Sequence, residues 1–101
     1  MDMRITTNNG HCDVLFSGTF TFVDNAAFKD VLALVDSPQV RSFTLDFAQV
    51  DFIDSSVLGM LMILRNEGAK HGQSVTIRGA KGQVNKVMRV SKFDEKFTMV
   101  A

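Results

Sequence analysis

The 101 residues predict one α/β domain built on a mixed sheet, with an antiparallel hairpin first and parallel strands after it. Three observations carry this. An Asn8-Asn9-Gly10 turn separates two short apolar-polar segments, apolar spacing then alternates between two residues and three to four, and Gly or Pro marks most changes. Arg4 to Thr7 and Asp13 to Ser17 are the hairpin strands. Asp24 caps a helix whose Phe28, Val31, Leu32 and Val35 share a face, and Pro38 ends it. Phe43, Leu45 and Phe47 alternate with Thr44 and Asp46 in a strand. A second helix runs from about Ser55 to His71, followed by a strand at Val75 to Arg78. Gln83 to Val90 forms a third helix with Val84, Val87 and Met88 inward, and Phe97 to Val100 a last strand. Strand-helix alternation of this kind gives parallel strands with right-handed crossovers, and three or more helices to cover them.

Composition narrows the function. Hydrophobic residues make up 46% and charged residues 22%, enough for one modest core and too apolar for a disordered tail. Eleven basic residues balance eleven acidic ones, so the excess of Lys and Arg that a nucleic-acid binder needs is missing. All nine aromatics are Phe, which suits core filling. Cys12 is alone, which excludes an intramolecular disulfide and a multi-cysteine metal cluster. The opening residues lack the basic and apolar regions of a signal peptide, and the apolar run Met60 to Leu64 is too short to cross a bilayer. The expectation is a soluble protein of a reducing, cytoplasmic compartment, with no direct membrane insertion.

Catalytic patterns are missing as well. His11 and His71 each lie beside a glycine turn and read as surface-loop residues. There is no Gly-x-Ser-x-Gly elbow, and Gly79-Ala80-Lys81-Gly82 lacks the spacing of a phosphate-cradling loop. The carboxylates form no metal-binding cluster. The chain is expected to be no enzyme, without cofactor or metal.

One segment stands apart: Val50-Asp51-Phe52-Ile53-Asp54-Ser55-Ser56-Val57-Leu58-Gly59. An apolar approach ends in Asp54, two hydroxyls follow, and a helix begins. Asp54 or Ser55 as a simple N-cap explains these residue types. The same position also favours an anion, because free amides and the positive end of the helix dipole converge there. A phosphate on Ser55 would find partners among those amides, with Asp54 and Ser56 supporting the site. It would add roughly −1.5 to −2 charges to the surface and repel a partner docked over it. Projected at about 100° per residue, Val57, Leu61, Leu64 and Gly68 face inward with Leu58 beside them. Ser55, Gly59, Asn66 and Lys70 lie opposite, flanked by Met62 and Ile63, a face suited to a partner and equally to a neighbouring segment of the chain.

At these residues, from about Met3 to Val100, the chain resembles the STAS family, named for sulfate transporters and anti-sigma factor antagonists. Leu45-Asp46-Phe47 resembles the family's strand, and Phe52 to Gly59 its Asp-Ser-Ser-Gly-Leu-Gly helix entry; Gly18 and the apolar spacing of Val84 to Phe97 match as well. The resemblance implies a single STAS domain over residues 1–101 with Ser55 as phosphoacceptor. It further implies a bacterial partner switch: the unphosphorylated chain binds a serine-kinase-type anti-sigma factor or related switch kinase, the kinase phosphorylates Ser55, and a serine phosphatase restores it. Thr21 and Asp24 join Val57, Gly59, Met62, Ile63 and Asn66 as expected partner-contacting residues, and the Met62/Ile63 face leaves a homodimer open. Val57 replaces the usual glycine after the serines, Thr21 a common Asp, and Ser91-Lys92 a common Thr-Gly pair. Two alternatives go with the resemblance: a non-phosphorylated STAS subunit of a lipid-transport ABC assembly, and a module sensing a nucleotide or other small anion.

The zero net charge conceals an asymmetry. Residues 1–64 hold three basic and eight acidic residues, whereas residues 65–101 hold eight basic and three acidic ones.

Overall fold

In a computed structural model covering residues 1–101, the Asn9-Gly10 turn joins β1 (Asp2–Asn8) to β2 (His11–Phe20) in a seven-rung antiparallel ladder, Asp2↔Ser17 to Asn8↔His11. Both turn residues have positive φ, 50° and 84°, the conformation a tight hairpin requires. A short 3₁₀ turn at Phe22–Asp24 leads into α1 (Asn25–Ala33), then a second 3₁₀ turn at Leu34–Asp36. After these come β3 (Ser42–Ile53), α2 (Ser55–Lys70), β4 (Ser74–Arg78), α3 (Gly82–Val90), a 3₁₀ turn at Phe93–Glu95 and β5 (Thr98–Val100). The strands lie in the order β1-β2-β3-β4-β5, with every pair after the hairpin parallel.

The buried positions of the strands alternate as a half-covered sheet demands: Cys12, Val14 and Phe16 on β2, Phe43, Leu45 and Phe47 on β3, Val75 and Ile77 on β4. They join Phe28 and Val31 of α1, Val57, Met60, Leu61 and Leu64 of α2, and Val84 and Met88 of α3 in one core of 23 buried residues. Phe16, Phe20, Phe28 and Phe47 pack together with ring centroids 5.0 to 6.2 Å apart. The other face of the sheet carries Arg4, Thr6, Asp13, Thr44, Asp46, Thr76 and Arg78, none of them fully buried. Arg78 lies 3.8 Å from Asp46 on this face, so the acidic and basic halves of the sequence interleave in space.

Several elements depart from the expectations above. β3 continues six residues past Phe47. Against β2 it carries one extra residue between the pairs Leu15↔Asp46 and Ser17↔Gln49, and another between Gly18↔Val50 and Thr19↔Phe52. These bulges break the two-residue period, so the buried residues run Phe47, Val50, Ile53 at intervals of three. His11 is a strand residue rather than a loop residue: its ring hydrogen-bonds with Ser42 Oγ at 2.5 Å and Thr44 Oγ1 at 2.9 Å. Asp24 precedes α1 without capping it by its side chain. Lys92, at the Ser91-Lys92 position, adopts the left-handed conformation (φ 61°) in which glycine is favoured.

Candidate functional site

The site forms where β3 ends and α2 begins. Asp54 is extended (φ −101°, ψ 174°) and caps α2. Its Oδ1 accepts from the Ser56 amide at 3.1 Å and from the Ser56 hydroxyl, while Oδ2 accepts from the Phe22 amide at 3.1 Å. The Ser56 hydroxyl, with help from the Phe22, Val57 and Ser56 amides, holds the Asp54 carboxyl below its ordinary value against an opposing desolvation. One carboxylate thus ties the first turn of α2 to the turn after β2.

The two serines are not equivalent. Ser56 is half-buried and donates its hydroxyl to Asp54, whereas Ser55, the first residue of α2, is exposed and its hydroxyl has no partner within the chain. The first-turn amides are less free than the sequence suggests. The Ser56 amide donates to the Asp54 carboxylate, and the Val57 amide reaches the Asp54 backbone carbonyl at 3.2 Å. An anion on Ser55 therefore stands outward, beside a carboxylate already seated in the cap.

From Ser55 an exposed stripe follows the helix through Gly59, Ile63 and Asn66, each three or four residues from the last. Ile63 is 52% exposed, and a Cβ added to Gly59 would meet no atom within 4 Å. Met62 is half-buried and packs against the core, so it borders this stripe rather than forming it. Val57 is fully buried and presents nothing to a partner, a correction to its place among the partner-contacting residues. The cause is the bend from β3 into α2, which turns the third helical residue inward. Asp24 is only partly exposed. Its side chain is 12% exposed and accepts from the Thr21 amide at 3.0 Å and the Met1 amino group at 3.2 Å, so it braces its turn. Thr21 is half-buried at the start of that turn.

What this bracing presents was missed from the sequence. Phe22 is 65% and Val23 83% exposed, on a turn tethered to Asp54. Phe52 is exposed on β3 two residues before Asp54. Seven of the nine Phe are buried; the two that are not flank the same carboxylate. The Phe52-Ile53 pair held a clue, since neighbouring strand residues face opposite ways and only one of the two can enter the core. Gln83, also unforeseen, donates from Nε2 to the Ile53 carbonyl at 2.9 Å and accepts on Oε1 from the Ile53 amide at 3.1 Å. None of the surface depressions includes Asp54 or Ser55; the largest, about 380 Å³, lies on the open sheet face around Arg4, Asp13, Asp46 and Arg78. No His, Cys, Asp and Glu cluster could hold a metal, and no helix is long and apolar enough to cross a membrane.

Known proteins share this architecture. The structure is similar to an anti-sigma-factor antagonist (STAS) domain protein from Planctomyces limnophilus, with TM-score 0.86 and 17% identity over 100% of this chain and 91% of that one. It is also similar to the unphosphorylated anti-sigma factor antagonist SpoIIAA, with TM-score 0.82 and 13% identity over 99% and 88%. In sequence, a STAS-domain containing protein of Pseudomonas aeruginosa is 26% identical over 84 residues, 83% of this chain and 82% of that protein. A family model described as "Mlab, STAS domain" matches residues 3–101. The mixed five-stranded sheet and its three helices agree with that match, and the chain belongs to the STAS family.

Proposed function

We propose that this chain is a partner-switching protein of the anti-sigma factor antagonist type, with its binding state written at Ser55. The observation that carries the reading is the inequality of the two serines: Asp54 engages the Ser56 hydroxyl and leaves the Ser55 hydroxyl exposed and unpartnered. The partner is a serine-kinase-type anti-sigma factor or related switch kinase, and it docks over Ser55, Gly59, Ile63 and Asn66. Phe22 and Val23 extend the contact, because exposed aromatic and aliphatic side chains on a braced turn add apolar area with little ordering cost. Thr21 and Met62 lie at the margin of this surface.

In the switching step the Ser55 oxygen attacks the γ-phosphorus of the kinase's ATP. The new O–P bond forms as the bond to ADP breaks, and the hydroxyl proton passes to a base on the kinase. The product places a phosphate beside the Asp54 carboxylate, whose cap position on the Ser56 amide is already filled. Charge gathers at the docking surface while the helix start keeps its bonds, so the modification repels the partner and leaves the fold in place. A serine phosphatase reverses the step. The chain is a substrate and a ligand in this scheme, not a catalyst, and the scheme operates in a bacterial cytoplasm, where ATP and the kinase are present.

Mixing the chain with its cognate kinase and ATP is expected to add one phosphate by mass spectrometry, absent in Ser55→Ala. Phosphate at another residue, or a stable kinase complex that never modifies Ser55, overturns the assignment. Constitutive copurification with a transporter ATPase, unaffected by nucleotide, replaces the switch with a structural-subunit role.

A further inference from the structure

The placement of Ser55 depends on what holds the end of β3, and β3 changes neighbours halfway along. From Ser42 to Asp46 it has a strand on each side. Its pairing with β4 stops at Asp46↔Arg78. The chain turns away at Gly79, where φ is +74° and a Cβ would lie 2.8 Å from that of Ala48. Beyond that point only β2 continues beside β3, as far as Phe20↔Ile53. The amide and carbonyl of one strand residue face the same edge, so at Ile53 both would face an edge with no strand. The Gln83 side chain fills that place. Its carboxamide accepts from the Ile53 amide and donates to the Ile53 carbonyl, reproducing the donor-acceptor pair of a neighbouring peptide.

We infer that Gln83 is the positioning residue of the switch: its side chain acts as the absent strand neighbour of Ile53, and through it α3 sets where Asp54 and Ser55 stand. The functional part of this inference rests on the reading of Ser55 given above. Gln83 is the second residue of α3, and that helix has no side-chain cap of its own at Lys81. The bonds to Ile53 therefore join the start of α3 to the strand end that launches α2, one residue before the capping Asp54. A shift of α3 along or away from the sheet breaks both bonds together and releases the approach to Ser55, which makes α3 a second input to the site.

Amide hydrogen exchange on the full chain tests this without any partner. Gln83→Met keeps the side-chain length and removes both bonds. It is expected to speed exchange at Ile53 and Ser56 by about tenfold or more, relative to Leu45 in the doubly flanked half of β3. Gln83→Glu keeps an acceptor for the Ile53 amide but, when ionised, has no donor for the carbonyl, so its effect falls between wild type and Gln83→Met. With the cognate kinase, the rate of Ser55 phosphorylation is expected to fall in the same order. Exchange at Ile53 and Ser56 that is unchanged, or that rises only as much as at Leu45, overturns the inference even if Ser55 is a genuine phosphoacceptor. The expected exchange order, in a chain that no kinase modifies at Ser55, supports the positioning of α2 by Gln83 and removes the switch reading instead.

Discussion

Along α2, Val57, Met60, Leu61, Leu64 and Gly68 are buried, while Ser55, Gly59, Ile63 and Asn66 on the other side are exposed. Folding accounts for the first set. Val57, Met60, Leu61 and Leu64 belong to the one core, and Gly68 leaves room for Gln73, whose Nε2 donates to the Val35 and Val40 carbonyls at 3.0 and 3.1 Å. Folding does not account for the second set. A glycine inside a helix costs roughly 0.5–1 kcal/mol relative to alanine, and Gly59 has no neighbour that would exclude a methyl group. An isoleucine with half its surface in water stabilises little. The two faces differ in what constrains them: packing volume limits the first, and nothing in the fold limits the second.

The largest effect should come from the inward face. Leu61→Ala removes a fully buried side chain and is expected to destabilise the fold by about 2–5 kcal/mol in urea or guanidinium unfolding, with any binding loss tracking the unfolded fraction. On the outward face the order reverses. Ser55→Asp is expected to weaken kinase binding by about tenfold or more in calorimetry, with a thermal midpoint close to wild type. Equal affinity in the two chains removes charge repulsion as the switching mechanism. Gly59→Ala sharpens the contrast. Stability should rise by up to about 1 kcal/mol while partner affinity falls, and a variant that gains both would mean the glycine has no role in docking.

The smallest effect belongs to Asp54, which joins the two faces. Its carboxyl is more acidic in the folded chain than in the unfolded one, so its contribution is complete above the unfolded value and disappears as pH falls through the folded one. Wild type should therefore lose stability below about pH 4 more steeply than Asp54→Asn. Parallel pH profiles for the two chains would show that the carboxylate's bonds to Ser56 and Phe22 add nothing to the fold.

The sequence made the helices legible and hid half of the site. α2 and α3 could be read because Val57, Leu61 and Leu64, and then Val84 and Met88, recur at helical spacing with no Pro to interrupt them. The late part of β3 could not. Two bulges shift the inward positions from every second to every third residue, and Val50-Asp51-Phe52-Ile53 then resembles no strand pattern. Asp54, Ser55 and Gly59 were visible because a cap, a hydroxyl and an unexplained glycine are local signals. Phe22, Val23 and Gln83 were not, since their significance arises from contacts across 30 or more residues, Phe22 to Asp54 and Gln83 to Ile53. Val57 was assigned to both faces because the helical projection turned it inward while the family resemblance placed it at a docking position, and its full burial agrees with the projection.

The two extra residues of β3 mark where the strand can change length without changing register. Between Asp46 and Phe52, β3 advances six positions while β2, from Leu15 to Thr19, advances four. Substitution at exposed Asp51 leaves that difference intact. Deleting Asp51 removes the extra residue itself and leaves Phe52 and Ile53 opposite Thr19 and Phe20. Deleting a residue between Ser42 and Asp46, where β3 has a strand on each side and no extra residue, turns every later inward position of that stretch to the other face. Homologous chains compared on this strand should therefore change in residue count at the bulges and hold it constant before them.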